Sequence, residues 1–254
     1  MNTGAVGRSG LSAARREKPA PPRIVALPGT LLDERSLTAL LHGLNAQTLL
    51  LGTQDHIDDE VDRVLALLGP EPAVWLGHSL GGIFALHAAA RHPNRIAGLV
   101  LLGANARAGR DSFEPRRAAQ WALAQQQGLP ALAHSKLAPG YGLAQDDSAL
   151  ADLVAQAQAV GLARFANQLA YARQRPGLLV PNQALRLPVL AISGEVDTLC
   201  PPAMSDEVVG LVSPPHPAIH HRLAGAGHLF PMQQPALVAA HLHTFLAQLK
   251  EPRT

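Results

Sequence analysis

The most informative stretch of the sequence is Gly77-His78-Ser79-Leu80-Gly81-Gly82. It follows the apolar run 73–76 and opens a helical pattern at Leu80. A serine at a sharp strand-to-helix turn has a strained backbone, and only small residues two before and two after it let the two elements pass without a clash. The turn holds the hydroxyl clear of the sheet, at the positive end of the helix. The stretch therefore indicates a nucleophile, Ser79, although a glycine-rich turn that only packs a helix on a strand can have the same residues.

Two later loops contain the groups that such a serine requires. A serine hydroxyl is a poor nucleophile until an imidazole takes its proton, and the imidazole needs an acid to fix its tautomer. The loop Gly194-Glu195-Val196-Asp197 follows the candidate strand 189–193, and Gly225-Ala226-Gly227-His228 follows the candidate strand 219–223. We therefore predict Ser79, Asp197 and His228 as catalytic residues, in the chain order that this sheet geometry requires. Glu195 is the alternative acid, and Asp197 is preferred because the motif ends there.

Short apolar runs alternate with helix-length segments from Arg23 onwards, which predicts a parallel sheet crossed by helices. The candidate strands are 24–27, 48–51, 73–76, 96–102, 189–193 and 219–223. The candidate helices are 34–44, 57–68, 80–91, 203–211 and 235–249.

Residues 105–187 interrupt this alternation, because they contain helical stretches such as 118–127 and 150–174 and no candidate strand. We expect residues 24–104 and 188–254 to form one α/β core and residues 105–187 to form an all-helical lid inserted between two strands. Residues 1–23 lack periodicity and are expected to be a disordered tail. Their arginines also fit an organelle transit peptide, but no apolar stretch of a secretory signal precedes Ile24.

The distribution of charge argues against nucleic acid as a partner. The 254 residues carry a formal net charge of +2, and the pI is about 9.0. Residues 1–23 contain five basic residues against one acidic residue, and residues 250–254 contain two against one, so the body from 24 to 249 is slightly acidic. A folded body of that sign offers no electrostatic track for a phosphate backbone.

The sequence also argues against a membrane or metal protein. Its longest apolar run, 96–104, is far shorter than the roughly 20 residues of a membrane-spanning helix. Cys200 is the single cysteine, and no Cys and His pair has the spacing of zinc ligands. The histidine pairs 220–221 and 241/243 point to different faces of a strand or a helix. We expect no metal, no membrane partner, a buried Cys200 and a reducing, cytoplasmic location.

From residue 24 to residue 249 the chain resembles the α/β-hydrolase fold family, and in particular its small, lidded carboxylesterases. The likeness rests on Leu27-Pro28-Gly29-Thr30 after the first strand, on the stretch around Ser79 and on the two loops that end at Asp197 and His228. Within the family it is similar to bacterial esterases of the pimeloyl-carrier-protein methyl ester carboxylesterase and enol-lactonase kind. The resemblance implies a mostly parallel sheet flanked by helices and a serine hydrolase that needs no cofactor.

The resemblance also implies an oxyanion hole formed by the backbone N–H groups of Thr30 and Leu80. Two positions depart from the family pattern. The loop after the first strand usually contains His-Gly, whereas Pro28-Gly29 precedes Thr30 here, which can change the shape of that loop. Gln233 stands where the family often has a glutamate, and we expect this difference to tune the final helix without changing the chemistry.

The helical insertion is expected to cover the site and to form a pocket for the apolar acyl part of a small ester. This expectation rests on its apolar content and on four aromatic residues, Trp121, Tyr141, Phe165 and Tyr171.

The insertion is also rich in arginine, which has two interpretations. One is a docking surface for an acyl carrier protein, as the resemblance suggests. The other is an ordinary solvated helix surface, which we take for Arg116-Arg117 and for Arg173 and Arg175.

Other activities fit part of the pattern. A non-catalytic small-molecule receptor can share the fold, although such proteins often lose a member of the triad. A cofactor-free peroxidase or a carbon–carbon bond hydrolase would use the same three residues, so both stay open. A haloalkane dehalogenase is excluded, because it needs an acid at the position of Ser79. His78 is not the expected base, because the neighbour of the serine points away from it on a tight turn.

Overall fold

A six-stranded sheet forms the centre of the computed structural model, which describes residues 22–143, 148–180 and 183–249. The spatial order of the strands is β2-β1-β3-β4-β5-β6, and each neighbouring pair is parallel. The strands are β1 (Ile24–Leu27), β2 (Ala46–Thr48), β3 (Ala73–His78), β4 (Ile96–Leu102), β5 (Val189–Gly194) and β6 (Ala218–Leu223). The α/β class that the alternating pattern predicts is confirmed.

Helices cover both faces of the sheet, which is why β1, β3 and β5 are buried along their whole length. The helices are α1 (Arg35–Leu41), α2 (Ile57–Leu68), α3 (Leu80–Arg91), α4 (Glu114–Leu132), α5 (Ala138–Gly140), α6 (Ser148–Gln174), α7 (Pro202–Val209), α8 (Phe230–Gln233) and α9 (Pro235–Leu249). Alternate residues of β1 serve opposite faces: Val25 packs in the cluster with Phe84 of α3, and Ile24 packs in the cluster with Phe245 of α9.

The predicted strand 48–51 is wrong, because the structure has β2 two residues earlier. Ala46, Gln47 and Thr48 pair with residues 24–26 of β1 at the edge of the sheet, where their side chains are partly or fully exposed. An exposed edge strand carries no apolar signal. The apolar residues that follow serve the core instead, since Leu51 is buried beside α2.

The segment between β4 and β5 is helical, as its pattern predicts. Helices α4 and α6 pack against each other, with the rings of Trp121 and Phe165 6.2 Å apart. Both helices bend at a glycine with positive φ, 84° at Gly128 and 81° at Gly161. The described residues of 105–187 form no strand, and Leu185 makes an isolated β-bridge with Val212. The insertion shares an apolar cluster with the loop that follows β1.

The structure differs from the expected N-terminal tail at Arg23. Residues 1–21 of the expected tail lie outside the described residues. Arg23, the last residue of that tail, is instead fixed on the core, because its guanidinium donates to the carbonyl of Leu68 at 2.7 Å. In the described part of the chain, no helix has the length and apolarity that crossing a membrane takes.

Candidate active site

Ser79 lies on the turn between β3 and α3 with a strained backbone, φ 52° and ψ −115°. The glycines around it are required by close approach. A Cβ on Gly77 would lie 2.3 Å from the backbone of Gly81, and a Cβ on Gly81 would lie 2.0 Å from the carbonyl oxygen of Leu27. The N–H of Ser79 donates to Leu102 of the neighbouring β4 at 2.9 Å. The turn therefore has the tight geometry that its sequence predicts.

The structure brings the three predicted residues Ser79, His228 and Asp197 into one hydrogen-bonded chain. The Nε2 of His228 lies 2.9 Å from the Oγ of Ser79, and its Nδ1 lies 2.7 Å from the Oδ2 of Asp197. Asp197 lies in the loop after β5 and His228 in the loop after β6, so the carboxyl ends of three parallel strands position the set. Asp197 and His228 are 3% and 1% exposed, whereas Ser79 is partly open to solvent. Among these three residues, Ser79 is the one that solvent and a substrate can reach.

Asp197 is held as a carboxylate. Burial alone would raise the pKa of its carboxyl group, but the hydrogen bond from His228 and the backbone N–H groups of Leu199 and Cys200, at 2.8 and 2.9 Å, outweigh burial and leave the pKa below its usual value. The alternative acid, Glu195, lies on the surface and accepts the N–H of Gly225 at 2.9 Å. The structure therefore places Asp197, and not Glu195, against the imidazole.

His78 is completely buried behind the candidate base. Its Nε2 lies 3.0 Å from the carbonyl oxygen of His228, so this nitrogen must carry the proton and donate it. Burial, together with the neighbouring His228, lowers the pKa of His78 to about 3. His78 is thus a neutral ring that positions the backbone of His228, and it does not contact Ser79 through a hydrogen bond in the described structure.

Two glutamines of α6, Gln168 and Gln156, bind the loop after β1 through hydrogen bonds. Neither was predicted from the sequence as a site residue. Leu31 has a φ of 57°, unusual for a residue other than glycine. Its N–H donates to the Oε1 of Gln168 at 3.0 Å, while the amide of Gln168 donates to the carbonyl of Leu51 at 3.3 Å. Two residues further on, the N–H of Asp33 donates to Gln156 at 3.1 Å. Nothing in the local sequence pattern links α6 to this loop.

A cavity of about 210 Å³ opens at Ser79. Thr30 and Leu80, the predicted oxyanion-hole residues, both line it. Leu80 is the first residue of α3, so its N–H has no acceptor within the helix. Thr30 receives the hydroxyl of Tyr141 on its carbonyl oxygen at 3.4 Å, and the ring of Tyr141 stacks 5.2 Å from that of His228.

The apolar wall of the cavity is built largely by the insertion. Of the four aromatic residues expected there, Tyr141 and Phe165 line the cavity, while Trp121 packs behind Phe165. Tyr171 is also placed elsewhere, since it is fully buried near Phe84 and donates its hydroxyl to the carbonyl of Gln54.

The expectation that Arg117 is solvated surface is wrong. Arg117 is 8% exposed, and its guanidinium donates to the carbonyls of Arg110 and Ala172 and pairs with Glu114 at 3.3 Å. Arg117 therefore connects the start of α4 to the end of α6. The same expectation is wrong for Arg175, which is mostly buried, and both Arg175 and the exposed Arg116 line the cavity.

A second Ser-His-Asp set lies outside the cavity. The Nε2 of His220 lies 2.8 Å from the Oγ of Ser193, and its Nδ1 lies 2.8 Å from Asp206. Ser193 is fully buried inside β5, so no substrate can reach it. Burial, and not hydrogen-bond geometry, separates this structural set from the one at Ser79. The described residues contain no cluster of three potential metal ligands, and the rings of His221 and His241 stack on each other.

The parallel sheet and the serine at its β3 turn define the class of α/β hydrolases. Residues 47–235 match the family model described as alpha/beta hydrolase fold, and the chain belongs to this family. A pimeloyl-[acyl-carrier protein] methyl ester esterase from Xanthomonas oryzae pv. oryzae is 31% identical to it over 193 residues, which cover 70% of this chain and 72% of that relative.

Two solved structures are similar in fold. A thermophilic esterase from Thermogutta terrifontis superposes with a TM-score of 0.74 at 19% identity, over 91% of each chain. The enol-lactonase from Burkholderia xenovorans LB400 superposes with a TM-score of 0.74 at 21% identity, over 89% of this chain and 91% of the other.

Proposed function

We propose that this chain is a serine hydrolase that cleaves a carboxylic ester or lactone through an acyl-enzyme. The observation that carries the proposal is the hydrogen-bonded chain from the accessible Ser79 through His228 to the buried Asp197. The family and its esterase relatives make the chain a carboxylic ester hydrolase in the broader sense. The acyl-enzyme route is inferred from the arrangement of these three residues.

In this mechanism His228 takes the proton of Ser79 as the hydroxyl oxygen attacks the ester carbonyl. The proton then passes from His228 to the leaving alcohol, and the acyl group stays on Ser79. A water molecule gives a proton to His228 and its oxygen attacks the acyl carbonyl. His228 then returns this proton to the Oγ of Ser79 as the bond between Ser79 and the acyl group breaks, which releases the carboxylic acid and the free serine. Asp197 orients the ring and stabilises its cationic form in both halves of the reaction.

The negative oxygen of the tetrahedral intermediate requires hydrogen-bond donors, for which we propose the backbone N–H groups of Thr30 and Leu80. Both residues line the cavity at Ser79, and the N–H of Leu80 lies at the positive end of α3. The apolar cavity wall favours a small ester with an apolar acyl part, and the insertion that builds this wall acts as the lid.

An ester carried on an acyl carrier protein is the second candidate substrate, because the relative from Xanthomonas oryzae carries that name. The lid arginines offer only modest support for docking. Arg117 is buried, Arg107 pairs with Glu207 at 2.8 Å, and Arg173 pairs with Glu114 at 3.7 Å. A small free ester is therefore the preferred substrate.

Product analysis tests the proposal against the activities that share the triad. Wild type is incubated with methyl esters and lactones of graded chain length, with a β-diketone, and with peroxide and halide. We expect one equivalent of acid and one of alcohol from an ester, and loss of both in the variant Ser79→Ala. Halogenation or carbon–carbon cleavage without ester hydrolysis would contradict the proposal, and tight binding without turnover would indicate a receptor.

We also propose a cytoplasmic location. The single cysteine, Cys200, is buried and forms no disulfide within the chain, which fits a reducing compartment.

A further inference from the structure

Arg175 is a cation without a counter-ion among the residues that the structure describes. It follows the last residue of α6, is mostly buried and lines the cavity at Ser79. Its Nε donates to the carbonyl of Arg107 at 3.0 Å, which fixes the plane of the guanidinium and leaves both terminal nitrogens for another partner. An arginine stays protonated at any physiological pH, so the charge is permanent.

The acidic side chains Glu114 and Glu207 form ion pairs with other arginines. Glu114 pairs with Arg117 and Arg173, and Glu207 pairs with Arg107. In the described part of the chain, no carboxylate forms an ion pair with Arg175. Burial is the main cause that lowers the pKa of its guanidinium, and the positive charges of Arg117 and Arg110 act in the same direction.

The charged side chains that line the cavity are all positive. Arg116, Arg117 and Arg175 line it, together with the amides of Asn105 and Gln120, and no acidic residue is among the described residues of its wall. The thiol of Cys200 also lies there, but it is neutral because its pKa is about 12. Buried charges in proteins are normally paired, so a guanidinium kept unpaired in a substrate cavity indicates a ligand of opposite charge.

We propose that Arg175 binds a carboxylate on the acyl part of the substrate, which makes the substrate a half-ester of a dicarboxylic acid. This inference rests on the proposed ester hydrolysis. The planar fork of a guanidinium matches the two oxygens of a carboxylate, and a charge-assisted pair in a partly desolvated cavity is strong. The ester carbonyl then lies at Ser79, and the methylene chain between the two ends contacts the apolar wall.

A matched pair of substrates tests the inference. Monomethyl esters of linear dicarboxylic acids are compared with methyl esters of neutral acids of equal chain length, over four to eight carbons. At the best length we expect kcat/KM to be at least about tenfold higher for the half-ester, mainly through KM. Arg175→Gln should bring this ratio close to one, and Arg175→Lys should keep part of it, because the charge remains.

Arg173→Gln is the matched control. Arg173 lies two residues away and is exposed, so its loss should leave both the ratio and the activity on the neutral ester unchanged. If Arg175→Gln does not fold, the wild-type ratio and Arg175→Lys decide the question. A wild-type ratio of one or less, a ratio unaffected by Arg175→Gln, or a preference for esters with the carboxylate on the alcohol side overturns the inference.

Binding to the inactive variant Ser79→Ala separates this inference from the proposed function. Calorimetry should show tighter binding of the half-ester than of the neutral ester, with the difference lost in the double variant Ser79→Ala/Arg175→Gln. If wild type hydrolyses neither ester but this difference is seen, the proposed function fails and the carboxylate site stands. If both esters are hydrolysed and bound alike, the proposed function stands and the carboxylate site fails.

Discussion

The negative charge of Asp197 is needed in the proposed mechanism to orient His228 and to stabilise its cationic form. In the variant Asp197→Asn the amide cannot hold His228 in the tautomer that accepts the serine proton, so we expect kcat to fall by roughly 10⁴ with KM little changed. Glu195→Gln is the matched control, because Glu195 contacts Gly225 and not His228. Steady-state kinetics on a methyl ester measure both variants. A larger loss in Glu195→Gln than in Asp197→Asn would overturn the assignment of the acid.

His78 should make the stability of the protein depend on pH. Its pKa is about 3 in the folded protein and about 6.5 in an unfolded chain, so between these values the unfolded chain binds a proton that the folded protein does not. The free energy of unfolding should therefore fall as the pH drops through this window, by at most about 1.4 kcal/mol per pH unit from this group.

His78→Gln isolates this contribution, since an amide can still donate to the carbonyl of His228 but does not titrate. We expect urea unfolding at pH 7, 6 and 5 to show a shallower loss of stability in the variant than in wild type. Parallel pH dependence in the two proteins would contradict this prediction, because it would mean that His78 binds its proton equally well in the folded and the unfolded protein.

At the scale of elements, α6 is tied to the loop that carries the proposed oxyanion donor Thr30. Gln168 accepts the N–H of Leu31, the residue next to Thr30, so the loop should lose its shape in Gln168→Leu. We expect kcat to fall about tenfold or more, which is less than the fall expected when an oxyanion donor itself is removed. Binding of substrate to the free enzyme should change little. A boronic acid, which imitates the tetrahedral intermediate, should bind more weakly by a similar factor.

Gln174→Leu is the control for this prediction. Gln174 lies on the same helix and also bonds a loop backbone, at Ile57 and Asp55, but that loop is away from Ser79. We expect a similar loss of stability in the two variants and a loss of kcat in Gln168→Leu alone. Equal kcat values in both would show that the hydrogen bond from Gln168 is only structural.

The same elements show what the sequence can predict. Strands β1 and β4 and helices α2, α3 and α9 have the predicted bounds, because a buried parallel strand or a helix that packs on the core carries its apolar pattern in its own residues. Strand β2 does not, because its position at the exposed sheet edge is set by pairing with β1. The three predicted catalytic residues are brought together because each follows a strand of one parallel sheet. Gln168, Gln156 and Arg175 were missed as site residues because their partners are more than 60 residues away in the chain.

At the scale of the whole molecule, charge changes on the lid surface test whether the substrate is a free ester or an ester on a carrier protein. Arg110 and Arg116 are exposed lid arginines without a carboxylate partner among the described residues, and Arg116 also lines the cavity. We expect the charge reversals Arg110→Glu and Arg116→Glu to leave kcat/KM for a carrier-linked ester and its salt dependence close to wild type. Electrostatic docking would instead make that rate fall steeply with ionic strength and with charge reversal, while a free ester kept its rate.

Covalent labelling with a fluorophosphonate tests the central claim, that Ser79 is an activated nucleophile in a functional triad. Wild type, Ser79→Ala and Ser193→Ala are labelled and the adduct is located by mass spectrometry of peptides. Ser193 is the stringent control, because it also bonds a histidine that contacts an aspartate but is fully buried. We expect one adduct, on Ser79, in wild type and in Ser193→Ala, and none in Ser79→Ala. Undiminished labelling of Ser79→Ala, or an adduct on another residue of the wild type, would contradict the account.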